Sequence, residues 1–257
     1  MDPIDVRLDG DVFAVINKPP GLPTQAPSEF DSLERRVREQ FKARGDYVAF
    51  PHRLDRPVGG VIIVAFRKKA ARLLSAQFES RKVSKTYLAQ LEGKVAMKSS
   101  RWIDHLRKVP DLAKVEIAEA DADDAKLAET QVHPIQFSSR HDRTLVKLSP
   151  ITGRMHQLRI QAAHRGTPIV GDQQYGAKQP FVDFSNLEQT ANRTGTLGSS
   201  NGDRLPIDAE SIPRPPIALC AHEIRFFDPR DSRSVAVTIE NRWSEELSSQ
   251  GEAEKMT

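Results

Sequence analysis

Very little in this chain could brace it covalently or tie it to a membrane. One cysteine, Cys220, stands among 257 residues, so an internal disulfide is impossible and a fold built on an oxidised framework is excluded. The start, MDPIDVRLDG, has neither the basic opening nor the apolar stretch of a secretory signal, and a cytoplasmic protein is expected. The longest apolar runs, such as GVIIVAF at 60–66, fall far short of the roughly 20 residues that span a bilayer. His52, His156 and His164 share no metal-ligand spacing and no cysteine cluster exists, so no metal is expected. There is also no phosphate-binding glycine loop or dinucleotide fingerprint, and no cofactor is implied.

Neither sign of charge dominates, with 38 Lys and Arg against 35 Asp and Glu and a net charge of +3. The distribution is uneven. Between Arg67 and Tyr87 stand Arg67, Lys68, Lys69, Arg72, Arg81, Lys82 and Lys85 against Glu79 alone, which suits either a solvated helix face or a surface for a polyanion. Acids instead crowd VEIAEADADDAKLAE at 115–129, a segment that should avoid phosphates and carries no convincing element.

Strand and helix patterns are interleaved, which predicts an α+β fold on a mixed sheet. VFAVINK reads as a strand followed by a Pro/Gly-rich loop, PPGLPTQAP. DSLERRVREQFKARG reads as a helix with Asp31 as N-cap, Glu34 three residues on, Leu33, Val37 and Phe41 on one face and Gly45 at its close. GVIIVAF lacks alternation and should be a strand covered on both sides, whereas KTYLAQLEG alternates, with Tyr87, Ala89 and Leu91 on one face. KKAARLLSAQFES has helical spacing, TLVKLSP looks like a strand, and the second part of ITGRMHQLRIQAAHRG looks like a helix ended by Gly166, with Met155, Arg159 and Ala163 on one partly covered face. Residues 177–214, rich in Asn, Gly, Ser, Thr and Pro, form a long stretch without an element and are expected to be a mobile loop, with a flexible tail at 248–257.

The stretch FPHRLDRPVGGVIIVAF carries charge to the very edge of the core. A loop entering a buried strand puts Asp55 where desolvation can make a carboxylate a nucleophile or a base. The same position would suit a turn aspartate held by Arg53 or Arg56, and this stretch alone leaves both open.

Five stretches, taken together and in order, resemble the RluA-type pseudouridine synthases. HRLDRPVGGVIIVA is similar to that family's H-R-L-D-x-x-T-S-G and apolar strand, VINKPPGLPTQ to N-K-P-x-G-L, and KVSKTYLAQLEG to K-x-Y-x-A-x-x-x-G. TGRMHQLRIQAAHRGTPIVGDQQYG is similar to T-G-R-x-H-Q-I-R followed by G-x-P-I-x-G-D-x-x-Y-G, and IALCAHEIRFFDP to the closing L-H-A-x-x-L-x-F strand. The likeness spans roughly Val12 to Trp243. Val58 and Gly59 replace the usual Thr-Ser, and Cys220 stands where His is usual, at a position expected to pack rather than react.

The resemblance implies the pseudouridine synthase fold, a largely antiparallel central sheet flanked by helices and loops around an active-site cleft. It implies isomerisation of uridine in RNA, with Asp55 as nucleophile, Arg159 as its cationic partner and Tyr87 stacked on the target base and handling a proton. Arg53 would fill the gap left by an extruded base. His52, Lys18, Arg154, His156 and Gln157 complete the substrate-binding candidates, with Lys18 able either to reach a phosphate or to cap its strand. Because the catalytic motifs start by about residue 12, no S4-type RNA-binding module of the kind many relatives carry is expected, and transfer and ribosomal RNA both stay open as partners of an expected monomer. Two other functions fit parts of the pattern. One is an inactive RNA-binding or assembly protein of the same fold; the other is a glycosidase pairing Asp55 with Asp172, although Asp172 in GDQQYG reads better as a turn that fixes its loop.

Overall fold

The computed structural model describes residues 3–181, 216–240 and 243. Ten strands form one sheet: β1 (Asp5–Asp9), β2 (Phe13–Lys18), β3 (Gly59–Ala65), β4 (Ser84–Glu92), β5 (Ser100–Lys108), β6 (Val115–Ala118), β7 (Lys126–Ser138), β8 (Arg143–Pro150), β9 (Leu219–Phe227) and β10 (Ser234–Thr238). Their order is β1-β2-β3-β9-β4-β8-β7-β5-β6, with β10 also on β9. Every pairing is antiparallel except β3 with β9. Among the described residues three α-helices run their full length beside the sheet: α1 (Leu33–Gln40), α2 (Lys68–Glu79) and α3 (Gln157–His164). None among the described residues is long and apolar enough to cross a membrane.

The apolar side chains gather into two clusters. One joins β2, β3, α1 and α2; the other joins β4, β8 and α3 with Ile169, Val170 and Ile217 to Leu219. β3 is buried along its whole length, as its unbroken apolar run predicts. The clusters meet where β3 and β9 touch, at Gly59 opposite Cys220 and Gly60 opposite Ala221. Gly60 has φ of 120°, and a Cβ there would lie 2.3 Å from the Ala221 carbonyl oxygen, so only glycine allows this approach. Asp55 enters the fold directly before this seam.

Several local expectations need correction. The N-cap of α1 is Ser32, whose hydroxyl accepts from the Arg35 amide at 3.2 Å, while Asp31 is taken by the Arg36 guanidinium at 2.6 Å. The acidic 115–129 segment contains β6 and the start of β7. Edge strands tolerate solvated charge, and Arg107 of β5 pairs across to Glu116. α3 begins only at Gln157, so Met155 precedes it and is exposed, and the buried face is Leu158, Arg159, Gln161 and Ala162. Of the expected loop at 177–214 the first five residues are described, with the Lys178 and Gln179 amides donating to Glu92; the rest lies outside the described residues, as does the 248–257 tail.

Candidate active site

Asp55 lies in a tight turn closed by the Val58 amide on its carbonyl at 3.0 Å, immediately before β3. The Pro-rich loop after β2 braces this turn. The Gly21 amide donates to the Arg56 carbonyl at 2.8 Å, Thr24 Oγ1 to the Leu54 carbonyl at 3.1 Å, and Arg56 Nε to the Gly21 carbonyl at 3.1 Å. Lys18 completes the brace. Its side chain is wholly buried, and Nζ donates to the carbonyls of Leu22 at 2.7 Å, Pro19 at 3.0 Å and Arg56 at 3.3 Å. Burial pushes this ammonium down to about 7, against the pull of the Asp55 charge. Of the two roles open to Lys18, the capping one has the geometry, since an ammonium enclosed by three carbonyls does not reach a phosphate. Lys18→Met should strip these carbonyls of their donor and destabilise the protein by about 1–3 kcal/mol, read from the denaturation midpoint.

The replacement of Thr-Ser by Val58 and Gly59 also acts here. Val58 is buried in the second cluster, and a Cβ on Gly59 would stand 3.1 Å from Pro20 Cδ and 3.2 Å from the Lys18 carbonyl. A side chain at 59 would press on the brace.

Arg159 rises from α3 into the same place. Its Nη1 is 3.4 Å from Asp55 Oδ2, so the pair expected from the resemblance is present in the geometry. The closer partner is Asp172, reached by Nε at 2.6 Å and Nη2 at 2.7 Å, with Gln174 Oε1 at 2.9 Å from Nη2. Burial opposes the guanidinium charge, but the Asp172 hydrogen bonds and charge, with Asp55 behind them, hold its pKa above the ordinary arginine value. Side-chain exposure is 3% for Arg159, 2% for Asp172 and 21% for Asp55, so of the two carboxylates only Asp55 opens towards solvent. This disposes of a glycosidase pair, because Asp172 is buried behind the arginine. Asp172 does fix a turn, accepting the Tyr175 and Ala177 amides, yet its side chain is also the principal anchor of Arg159.

Tyr175, from the same GDQQYG segment, was not singled out by its pattern. The Arg159 guanidinium lies over its ring at 5.0 Å, and its hydroxyl accepts from the Val115 amide at 3.0 Å and meets His156 Nδ1 at 2.8 Å. His156 Nε2 faces Asp55 Oδ2 at 3.8 Å.

Tyr87 stands at the junction of the two clusters and packs against both. Burial, then the Asp55 charge and Cys220, pushes its phenol well above the ordinary value, so it carries its proton at neutral pH. Cys220 is itself raised to about 12 by burial and remains a thiol.

A cleft of about 610 Å³ opens over these groups. Its lining includes the basic residues Arg53, Arg81, Lys85, Arg154 and Arg159 against two acids, Asp55 and Glu79. Arg53 is exposed at the mouth, and Arg154, also exposed, donates Nε to the Leu127 carbonyl at 3.0 Å. Ile151 and Met155 give the rim two exposed apolar side chains. His52 and Gln157 line the cleft but serve the scaffold. His52 Nε2 accepts from the Ile63 amide at 3.0 Å and its ring stacks on Phe78; burial, helped by the Lys85 charge, lowers it to about 3, so it stays a neutral acceptor. The Gln157 amide makes four bonds, accepting from Thr152 Oγ1 and the Arg154 amide and donating to the Glu129 carbonyl and Thr130 Oγ1. It holds the 152–154 turn and has no capacity left for a ligand.

The model of the RNA pseudouridylate synthase family matches residues 12–164. The chain is 37% identical over 179 residues to the dual-specificity RNA pseudouridine synthase RluA of Yersinia pestis, covering 68% of this chain and 82% of that protein. It is 31% identical over 241 residues to the ribosomal large subunit pseudouridine synthase C of Haemophilus ducreyi, covering 91% and 64%. It is 37% identical over 188 residues to the tRNA pseudouridine synthase C of the same organism, covering 67% and 74%. Human RNA pseudouridylate synthase domain containing 1 has the same fold, with a TM-score of 0.69 at 23% identity over 96% of this chain and 89% of that one.

Proposed function

This chain belongs to the RNA pseudouridylate synthase family, and from that premise we propose that Asp55 is its nucleophile, with Tyr87 and Arg159 completing the catalytic set. The reaction is an isomerisation within RNA. The bond from ribose C1′ to uracil N1 breaks, the base turns, and C1′ bonds to C5, which gives up a proton while N1 gains one, so the mass is unchanged. The observation that carries the assignment is Asp55 itself, the one carboxylate of the buried cluster open to the cleft, 3.4 Å from a guanidinium that a second carboxylate holds in place.

The arrangement serves each covalent or elimination route to the product. Attack on C1′, addition to the pyrimidine ring and removal of a proton from C2′ all need an ionised carboxylate beside the ribose and base. Arg159 favours the anion. Tyr87, beside Asp55 and protonated, would bear on the base and pass a proton as it turns. All of these groups come from one chain, which supports a monomer as the working unit.

The target is a uridine in ribosomal or transfer RNA, the two classes on which the similar synthases act by name. Mapping pseudouridines in cellular RNA with and without this protein tests it, followed by incubation of purified protein with the identified transcript. A converted uridine at constant RNA mass is the expected outcome. Loss of uracil, or no difference between the cells, would reject it.

Arg53 separates extrusion from chemistry. It is exposed at the mouth of the cleft, and its planar cation suits the space that a flipped base leaves in a stack. Arg53→Ala should therefore lose about tenfold or more in activity on a structured stem-loop beyond its loss on an unstructured strand, where unstacking costs less. Equal losses on the two substrates would remove that role.

A further inference from the structure

Several cations in and around the cleft already have work within the protein. Lys18 is enclosed by carbonyls, Arg159 is held by Asp172, and Arg154 Nε is bonded to the Leu127 carbonyl. Lys85 is different. It lies on β4 two residues before Tyr87, and both side chains line the cleft. Among the described residues its ammonium has no hydrogen-bond acceptor and no ion-pair partner, and no carboxylate is close enough to perturb it. It stands beside Gly153, where a Cβ would lie 3.5 Å from Nζ, so the ammonium faces a position without a side chain. A half-buried cation without a partner costs stability unless a ligand supplies the acceptor.

The path of β4 indicates which acceptor. Burial rises along the strand, from exposed Ser84 through Lys85 and Tyr87 to the buried 88–91 stretch. Lys85 therefore sits nearer the mouth than the tyrosine, on the side where Arg81 also lines the cleft. A nucleotide placed with its base against Tyr87 and Asp55 would leave its sugar-phosphate at the mouth. A compact ammonium suits a phosphate oxygen as a point charge, whereas a uracil carbonyl would lie deeper.

We propose that Lys85 is a further substrate-binding residue whose ammonium holds a backbone phosphate adjoining the extruded uridine, an assignment that rests on the cleft being the uridine site. The probe is the shortest synthetic RNA carrying the mapped uridine, made with native linkages or with one uncharged methylphosphonate on either the 5′ or the 3′ side of that uridine. Affinity is measured by fluorescence anisotropy in an Asp55→Asn background, so that turnover does not intervene. Lys85→Met keeps the length of the side chain and should weaken binding of the native RNA about tenfold and lower the salt slope by about 1. One of the two methylphosphonates should weaken binding to the Lys85 protein by a similar factor and have no further effect on Lys85→Met. Additive losses, unchanged affinity in Lys85→Met, or a Lys85 protein indifferent to both methylphosphonates would overturn the proposal. The last outcome needs no variant at 85 to fold. Wild-type protein that leaves the uridine unmodified would instead overturn the functional reading, whatever the binding cycle gives.

Discussion

Asp55→Asn protein should form no measurable pseudouridine on an RNA that the wild type converts, while binding that RNA with an affinity within about threefold of the wild type's, because phosphate contacts elsewhere supply most of the attraction. The amide keeps the volume of the carboxylate and removes its charge. The fold should hardly notice. Asp55 is 21% exposed, its turn is closed by the Val58 amide on its backbone carbonyl, and Arg159 keeps its stronger bonds to Asp172. A stability change under about 1 kcal/mol is expected. The measurement is pseudouridine per RNA after prolonged incubation, on a sample whose mass excludes deamidation back to aspartate. Turnover by such a sample would remove Asp55 as nucleophile.

Arg159→Ala should lose turnover by about 10³-fold or more, but for two reasons that must be separated. It deprives Asp55 of its cation, and it leaves Asp172, 2% exposed, as an uncompensated buried charge. The second effect should destabilise the protein by about 3–5 kcal/mol. Arg159→Lys should rescue weakly, since one ammonium cannot bond both oxygens of Asp172 and still face Asp55. The decisive variant is Arg159→Met combined with Asp172→Asn. Removing both charges together should recover most of the lost stability, because no buried ion is left alone, and should recover none of the turnover. A stable double variant with wild-type activity would show that Arg159 serves the fold alone.

The patterns legible in the sequence are those that local physics dictates. β3 is an unbroken apolar run because both of its faces are covered, and α2 follows its helical spacing. β6 and the start of β7 were illegible because the short edge strand β6 and the exposed first residues of β7 carry charges that resemble a loop, and their stability comes from pairing with β5, which composition does not reveal. The capping residue of α1 slipped by one position for a similar reason. Asp31 and Ser32 are both competent caps, and the choice fell to Ser32 once Arg36 had taken Asp31.

By itself the sequence determined the family, the reaction and which residue types approach the cleft, since five motifs in order carry that information without coordinates. Only the tertiary structure decided what each side chain has left to offer. Arg159 meets Asp55 across 104 positions and is held by an aspartate whose motif suggested only a turn. Lys18, 38 positions from Arg56, is consumed by carbonyls, and Gln157 spends its amide on a turn. Lys85, one of seven basic residues in a charged stretch, keeps an ammonium in the cleft with no partner among the described residues. The reason is physical: a polar group's availability depends on desolvation and on partners brought together by the sheet, and both arise from contacts between distant parts of the chain.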